Sequence, residues 1–158
     1  MLVDIDFKIP APLSNAQFHF EMLNKELTEI DYEAVMSSKE RLRQVFFEHD
    51  TWPEENMTIE FNTVELIQHE HEFSAREAFA YAVFSPNKDN YIGCVYVYPT
   101  KATDYDREVY LWVKDNDIHL DNALYDSVEQ WLKAQWPFQQ RAYPGRTMPW
   151  HEWNKKQA

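Results

Sequence analysis

The side chains whose types first suggest chemistry are the closely spaced His69 and His71 and the single cysteine, Cys94. On a helix the two histidines diverge, because only residues three or four apart share a face. We therefore expect both on a solvated helix surface and predict no metal site. Cys94 stands in a predicted strand, where a free cysteine is typically small and buried, so we interpret it as a core residue rather than a nucleophile.

Glycine is too scarce for several familiar nucleotide sites, since the 158-residue chain contains only 2 glycines. Glycine-rich loops of the Walker and dinucleotide types are therefore excluded. No nucleophile elbow of the kind found in α/β-hydrolases is present either. With 44% hydrophobic and 16% aromatic residues, the composition indicates one folded domain of ordinary size.

The net charge limits the kinds of partner that the chain can bind. A formal charge of −12 argues against nucleic acid, because binding to a phosphate backbone needs clustered lysine and arginine. It favours a cationic substrate such as an amine, a peptide or a polyamine, although acidic residues on a solvated face give the same total. The sequence has neither a leader-like segment nor a long apolar run, so we expect a cytoplasmic location and no membrane partner.

The second half of the chain predicts the elements that would position a site. Tyr91–Tyr98 and Arg107–Val113 are rich in aromatic and β-branched residues, which is typical of strands. Residues 120–136 change to helical spacing, and residues 138–143 predict a returning strand after a proline that ends the helix. The apolar face of the predicted helix consists of Leu124, Val128, Trp131 and Leu132.

The first half of the chain predicts a lead-in, a strand, two or three helices and a hairpin. Residues 1–17 are expected to form an N-terminal arm, and residues 18–23 the first strand. Phe79–Phe84 pairs most simply with Tyr91–Tyr98 through a polar turn. The two or three helices, predicted between the first strand and this hairpin, would cover the sheet.

Polar residues suggest where these helices begin. Ser37 and Glu40 have the spacing of a capping box, and Asn56 or Thr58 can cap a longer helix that follows. Asp121 is placed to cap the helix in the second half. Each of these predictions assigns a side-chain oxygen to free backbone amides at a helix start.

Two short motifs connect this order of elements to a known family. Residues 93–96 read GCVY and are followed by Pro99, and residues 136–138 read WPF after the predicted helix. Over residues 18–143 the chain resembles the GNAT superfamily of N-acetyltransferases, in particular its small bacterial members. The resemblance implies an α/β, GNAT-like acyl-CoA N-acyltransferase fold: a mixed, mostly antiparallel sheet with flanking helices and a splayed parallel pair of strands.

The resemblance also implies acetyl-CoA as a cofactor, held in the gap between the two parallel strands. Its pantetheine would pair with the backbone of the preceding strand, and its diphosphate would lie at the start of the following helix. Where the family has glycines this chain has Asp117, His119 and Asp121, and two carboxylates there would repel a diphosphate unless they turn away. The predicted cofactor residues are Leu111, Trp112, Val113, Lys114, Asp121 and Asn122.

Two residues are candidates for catalysis by the same resemblance. Glu108 starts the central strand, where several members of the family place a general base, and a carboxylate can take the proton that an attacking amine must lose. Tyr143, at the end of the last predicted strand, would protonate the departing thiolate. The ordinary alternatives are a surface glutamate and a packed aromatic residue.

The end of the chain departs from the family pattern. Residues 144–158 are too few for the further helix and two strands that typical members carry, so we expect an abbreviated acceptor side. Trp150 and Trp153 are too apolar for a free tail, which predicts that the tail docks on the domain or on a partner subunit, with a homodimer as one hypothesis.

Three functions remain open at this point. The first is transfer of an acetyl or other acyl group from acetyl-CoA to a small, possibly cationic amine. The second is a non-catalytic GNAT-like protein whose cleft binds another ligand or a partner subunit, which the glycine-free loop favours. The third is an unrelated α+β interaction module, which would follow if the parallel crossover were wrong.

Overall fold

A computed structural model of the chain describes residues 1–157 and has a five-stranded sheet at its centre. The strands lie side by side in chain order, the first four antiparallel and the last parallel to its neighbour. The three central strands have the predicted bounds. The strands are β1 (His19–Met22), β2 (Phe79–Phe84), β3 (Tyr91–Tyr98), β4 (Arg107–Val113) and β5 (Arg141–Ala142).

Helices cover both faces of the sheet. A short 3-10 helix precedes the first α-helix, and another, Asp115–Leu120, leads into the fourth. The α-helices are α1 (Thr28–Ser37), α2 (Lys39–Leu42), α3 (Ile59–Ser74), α4 (Asp121–Gln135) and α5 (Trp150–Lys156).

Strand alternation divides the core into two layers. Successive side chains of a strand point to opposite faces, so Val109, Leu111 and Val113 of β4 pack on the side of α4. Tyr110 and Trp112 pack on the other side, with residues of α1 and α3. Both layers are well filled, and this is why the central strands read as nearly continuous apolar runs.

The crossover from β4 through α4 to β5 is confirmed. The four predicted residues of α4 are buried in the first layer, and β5 pairs parallel with β4 through Arg107↔Arg141 and Glu108↔Ala142. A parallel pair needs such a crossover connection. The hypothesis of an unrelated module, which depended on this crossover being wrong, therefore loses its basis.

Strand β5 is shorter than predicted. The backbone amides of Gln139 and Gln140 donate to the Asp106 carboxylate, at 2.8 and 2.9 Å, instead of joining the sheet. The carbonyl of Tyr143 already accepts hydrogen bonds from the turn that follows. Only Arg141 and Ala142 are left to pair with β4.

Gly93 of the GCVY motif is required by the close approach of β3 and β4. A Cβ atom added there would lie 1.9 Å from the carbonyl oxygen of Trp112 and 2.9 Å from the Cα of Val113. Both of those atoms belong to backbone, which cannot move aside without breaking the ladder. Any other residue would push apart the two strands that carry the candidate site.

Two of the predicted helix caps are wrong. The Ser37 hydroxyl donates to the carbonyl of Ala34 at 2.9 Å, and α2 begins after Ser38 without a side-chain cap. Asp121 is the first residue of α4 rather than its cap, because the preceding 3-10 helix runs directly into α4. Thr58 is confirmed as a cap, since its hydroxyl accepts from the amide of Phe61 at 3.1 Å.

Both ends of the described chain pack on the sheet. In the segment predicted as an arm, Leu2, Val3 and Leu13 are buried in the first layer. At the other end, Trp153 of α5 is buried against Ala102 and Ala142. The tail therefore docks on its own domain.

Candidate active site

A cleft opens where β4 and β5 diverge. The ladder between them stops at Glu108 and Ala142, and the chain then turns away from β4. A cavity of about 380 Å³ lies in the gap, lined by Val109 and Leu111 of β4, by Asn122 at the start of α4 and by the turn that follows β5. We call this gap the β4–β5 cleft.

The turn that forms one wall of the β4–β5 cleft depends on Gly145. Its φ of +75° lies in the left-handed region that favours glycine. A Cβ atom at this position would also lie 2.5 Å from the ring of Trp150. Conformation and packing together fix glycine here, so the chain's second glycine shapes the cleft.

Two arginines line the β4–β5 cleft, and each is paired with an aspartate. Arg146 forms two hydrogen bonds to the carboxylate of Asp121, at 2.7 and 3.0 Å. Arg41 reaches the cleft from α2, where it pairs with Asp115 at 2.6 Å and also donates to the carbonyl of Val113. These contacts neutralise the acidic residues that follow β4.

Asp117, the other predicted source of repulsion, turns away from the β4–β5 cleft. It is buried, accepts hydrogen bonds from Asn90 at 3.2 and 3.3 Å, and lies 3.4 Å from the ammonium group of Lys114. The predicted conflict between two bare carboxylates and a diphosphate therefore does not arise, since both have partners within the chain.

The six predicted cofactor residues lie in different places. Leu111 and Asn122 line the β4–β5 cleft. The side chain of Trp112 belongs to the opposite layer, so only its backbone is on the strand edge. The Lys114 side chain bonds Asn90 and the carbonyl of Tyr91, at 2.6 and 2.7 Å, and lines no part of the cleft. The carbonyl of Val113 accepts a hydrogen bond from Arg41, and the carboxylate of Asp121 accepts from Arg146.

A second cavity, of about 330 Å³, lies on the other face of β4. We call it the aromatic cavity. The ring of Phe46 lies 4.9 Å from that of Tyr96 and 5.4 Å from that of Trp52, between centroids. Its aromatic walls are Phe46, Phe47, Trp52, Tyr96, Tyr98 and Tyr110.

The aromatic cavity is lined by three carboxylates, Asp50, Glu65 and Glu108, and by no lysine or arginine of residues 1–157. Glu65 is half-buried, and this burial raises the pKa of its carboxyl group. Glu108 accepts a hydrogen bond from the hydroxyl of Tyr110 at 2.6 Å. Burial, followed by the contact with Glu108, raises the pKa of Tyr110, so the hydroxyl stays protonated and keeps donating.

His69 also lines the aromatic cavity, which corrects the expectation of a solvated surface for both histidines. Its ring centroid lies 5.5 Å from that of Tyr96, and in the described chain its Nδ1 is buried with no hydrogen-bond partner. Burial lowers the pKa of His69, and the charge of Asp31 opposes this shift only in part. His71 is exposed, as predicted.

A signal for His69 was present in the sequence. It stands four residues after Glu65 and three after the buried Leu66, so the three share one face of α3. The spacing of His69 from His71, two residues apart, does not indicate which face of α3 either side chain occupies. Spacing along the helix, rather than proximity in sequence, identifies the side chain that faces the sheet.

Cys94 is confirmed as a core residue. Its Sγ lies 3.1 Å from the hydroxyl of Tyr91 and 3.4 Å from the buried carboxylate of Asp31. Burial, followed by the charge of Asp31, raises the pKa of the thiol well above its ordinary value. A thiol that resists ionisation is a poor nucleophile.

Tyr110 lies between the two cavities, because it lines both of them. Glu108 stands two residues before it on the same strand, at the last rung between β4 and β5. Tyr143 lines neither cavity. Its hydroxyl donates to Glu129 of α4 at 2.5 Å.

Among residues 1–157, no three histidine, cysteine, aspartate or glutamate side chains are arranged to hold a metal ion. Within the same residues, every helix is too short or too polar to cross a bilayer.

Comparison with known proteins identifies the fold. No protein-family model matches the chain, and no curated protein matches its sequence. Among solved structures, it matches RimL, a ribosomal L7/L12 α-N-protein acetyltransferase, with a TM-score of 0.60 and 10% identity, over 77% of this chain and 63% of that one. It also matches a ribosomal-protein-S5-alanine acetyltransferase from Vibrio fischeri, with a TM-score of 0.59 and 14% identity, over 80% and 69% of the two chains.

A third match is the microcin C7 self-immunity acetyltransferase MccE, solved in complex with acetyl-CoA and AMP. Its TM-score is 0.58 at 14% identity, over 76% of this chain and 65% of that one. The chain thus spans about two thirds of the length of these proteins. At such low identity the likeness shows the fold alone: the chain has the α/β GNAT fold, with its mixed sheet, flanking helices and parallel β4–β5 pair.

Proposed function

We propose that this protein is an acyltransferase that moves an acetyl or other acyl group from acetyl-CoA to an amine. The observation that carries the proposal is that two cavities share Tyr110 of β4 as a wall, one at the β4–β5 edge and one on the aromatic face. A donor in the β4–β5 cleft and an acceptor in the aromatic cavity would approach each other beside Glu108. The acetyltransferases that share the fold, one of them solved with acetyl-CoA, support this arrangement.

On the donor side, the backbone edge of β4 from Val109 to Trp112, which includes Leu111, would pair with the pantetheine. The Val113 carbonyl accepts from Arg41 and the Lys114 amide donates to Ile92, so these two groups are not free to do so. Asn122 and the first turn of α4 would face the diphosphate, where a helix N-terminus favours negative charge. Arg41 and Arg146, whose charges Asp115 and Asp121 balance, would share their remaining N–H groups with the phosphates. Guanidinium groups bind phosphate in a bidentate manner, and they would take over here from a glycine-rich loop.

On the acceptor side, Glu108 is the proposed general base. An ammonium group entering the aromatic cavity would give a proton to the Glu108 carboxylate and become a nucleophile. The neutral amine nitrogen would then attack the thioester carbonyl carbon and the carbon–sulfur bond would break. The second proton that the nitrogen loses would go to the departing thiolate. The products are an amide and free CoA.

Tyr143 remains a proposal as the acid that protonates the thiolate. Its hydroxyl would first have to leave Glu129, to which it donates at 2.5 Å. The variant Tyr143→Phe tests this role. A lower rate at unchanged affinity for acetyl-CoA supports it, whereas a change in stability alone assigns the hydroxyl to packing.

Calorimetry with acetyl-CoA tests the proposal as a whole. Saturable binding at micromolar concentration is expected, and mass spectrometry should then show acylation of an amine present in the assay. Absence of binding up to about 1 mM would overturn the proposal and leave the cleft to a different ligand. The homodimer suggested by the apolar tail loses its main argument, since Trp153 packs within its own chain.

A further inference from the structure

The carboxylates of the aromatic cavity lack a cationic partner, unlike two other partly buried carboxylates of the described chain. Asp121 and Glu129 are each paired with an arginine. Asp50, Glu65 and Glu108 converge on one cavity without an ion pair to any lysine or arginine of the described chain. His69, the basic residue in the cavity, is held neutral because burial lowers its pKa.

The walls of the aromatic cavity suit a cation. Phenol and indole faces attract ammonium groups, and the attraction grows when water is excluded. The side chains of Tyr96, Tyr98 and Tyr110 provide such faces, and burial raises the pKa of each, so none competes as an anion. Rings and carboxylates together therefore select positive charge.

Three carboxylates are more than a single reactive amine can use. One carboxylate can accept the proton that the nucleophile loses, but the others would stabilise the protonated ammonium form and so oppose the reaction. The extra negative charge helps only if the ligand keeps a second positive charge after its reactive nitrogen has become neutral. Charge balance thus points to a ligand with at least two amino groups.

We infer that the acceptor is a linear diamine or a longer polyamine. This inference rests on the proposed function. The reactive nitrogen lies at Glu108, and a second ammonium group is held by Glu65. Asp50 adds to the negative potential at the same end of the cavity.

The position of Glu65 leaves room for a longer chain. Glu65 and Trp52 line both the aromatic cavity and a neighbouring cavity of about 360 Å³. The neighbouring cavity is also lined by Glu54, Met57 and Phe61, which combine a carboxylate with apolar surface. A third ammonium group, joined by methylene groups, would find both kinds of contact there.

Calorimetry without acetyl-CoA tests the inference directly. The probes are 1,4-diaminobutane, spermidine and butylamine, which has the same carbon chain as the first but one charge fewer. The diamine is expected to bind about tenfold more tightly than butylamine, and spermidine at least as tightly as the diamine. In Glu65→Gln this preference for two charges should disappear, whereas Glu60→Gln, an exposed position on the same helix, should keep it.

Several outcomes would overturn the inference. Equal binding of butylamine and 1,4-diaminobutane to the unaltered protein would overturn it. This result needs no variant, so a misfolded variant cannot explain it. Tighter binding of a short peptide with a free N-terminus would assign the cavity to peptides instead. Thermal unfolding of Glu65→Gln, compared with Glu60→Gln, shows whether a lost preference reflects a lost fold.

The same measurements separate this inference from the proposed function. Efficient acylation of monoamines and diamines alike would refute the diamine and leave acyl transfer standing. Selective binding of diamines without any binding of acetyl-CoA would refute acyl transfer while supporting a polyamine-binding cavity.

Discussion

The two sides of β4 differ in whether their charged side chains are paired. The aromatic cavity presents three carboxylates without a cationic partner, whereas the β4–β5 cleft presents Arg41 and Arg146 and has its acidic neighbours paired. A single strand separates them, since alternate residues of β4 point to opposite faces. On our proposals, an anion and a cation would bind on either side of this one strand.

This difference shows why total charge is a poor guide to the cofactor. A net charge of −12 suggests repulsion of an anion such as CoA. Local fields depend on which charges line a cleft, and here the acids that follow β4 are neutralised within the chain. The unpaired carboxylates line the aromatic cavity, where they would attract an amine.

The largest expected effect of a substitution is on the acceptor side. Glu108→Gln removes the proposed proton acceptor, and general base catalysis contributes about 100-fold or more. Turnover with acetyl-CoA should fall by that factor, while calorimetry should give an unchanged affinity for acetyl-CoA. Glu60→Gln is the matched control and should keep the original rate.

A Glu108→Gln variant with unaltered turnover would contradict the role of Glu108 as general base. The carboxylates of the aromatic cavity would then bind the ligand without taking part in chemistry. A loss of acetyl-CoA affinity in the same variant would show that the two sides of β4 are not independent.

A smaller effect is expected on the donor side. Arg146→Gln removes one charged contact to the diphosphate, and such contacts contribute about 1.5 to 3 kcal/mol. Binding of CoA should weaken by about tenfold or more, whereas binding of pantetheine, which lacks the diphosphate, should not change. Arg41→Gln should act in the same direction.

The control for charge is Lys133→Gln, which removes one positive charge from an exposed position on α4. It should leave the affinity for CoA unchanged. Equal losses for CoA and pantetheine in Arg146→Gln would contradict a phosphate contact and indicate a change in the shape of the cleft.

The three central strands were predictable, because the runs of aromatic and β-branched residues in β2, β3 and β4 are typical of strands. The crossover was predictable too, since the apolar spacing of α4 and Pro137 left few other topologies. Local periodicity determines these elements, and the same periodicity determines which side chains of β4 share a face.

The aromatic cavity was not predictable in the same way. Phe46 and Trp52 lie in the irregular segment between α2 and α3. The sequence predicted that the helix containing Leu42 continues through Val45 and Phe46, but α2 ends at Leu42. The pair Asp121 and Arg146 joins residues 25 positions apart through a turn whose path depends on Gly145. Contacts of this kind follow from the assembled fold and not from local pattern.

The smallest expected effect concerns His69 and the stability of the protein. Burial lowers the pKa of His69 below its ordinary value of 6.5, so between the two pKa values the unfolded chain binds a proton that the folded chain does not. Acidification from about pH 7.5 to about pH 5.5 should therefore destabilise the native protein by this term, by about 1 kcal/mol or less. His69→Gln should lack the term, so the difference in unfolding free energy between the native protein and this variant should shift in favour of the variant as the pH falls.

Urea denaturation at each pH measures this difference, with His71→Gln as the exposed control. Comparing variants cancels the contribution of Glu65, whose raised pKa is common to all of them. Parallel curves for His69→Gln and the native protein would mean that folding leaves the pKa of His69 unshifted, and curves that move the opposite way would mean that the fold favours charged His69. In the latter case the carboxylates of the aromatic cavity would have a cation within the chain, and the contrast between the two sides of β4 would no longer hold.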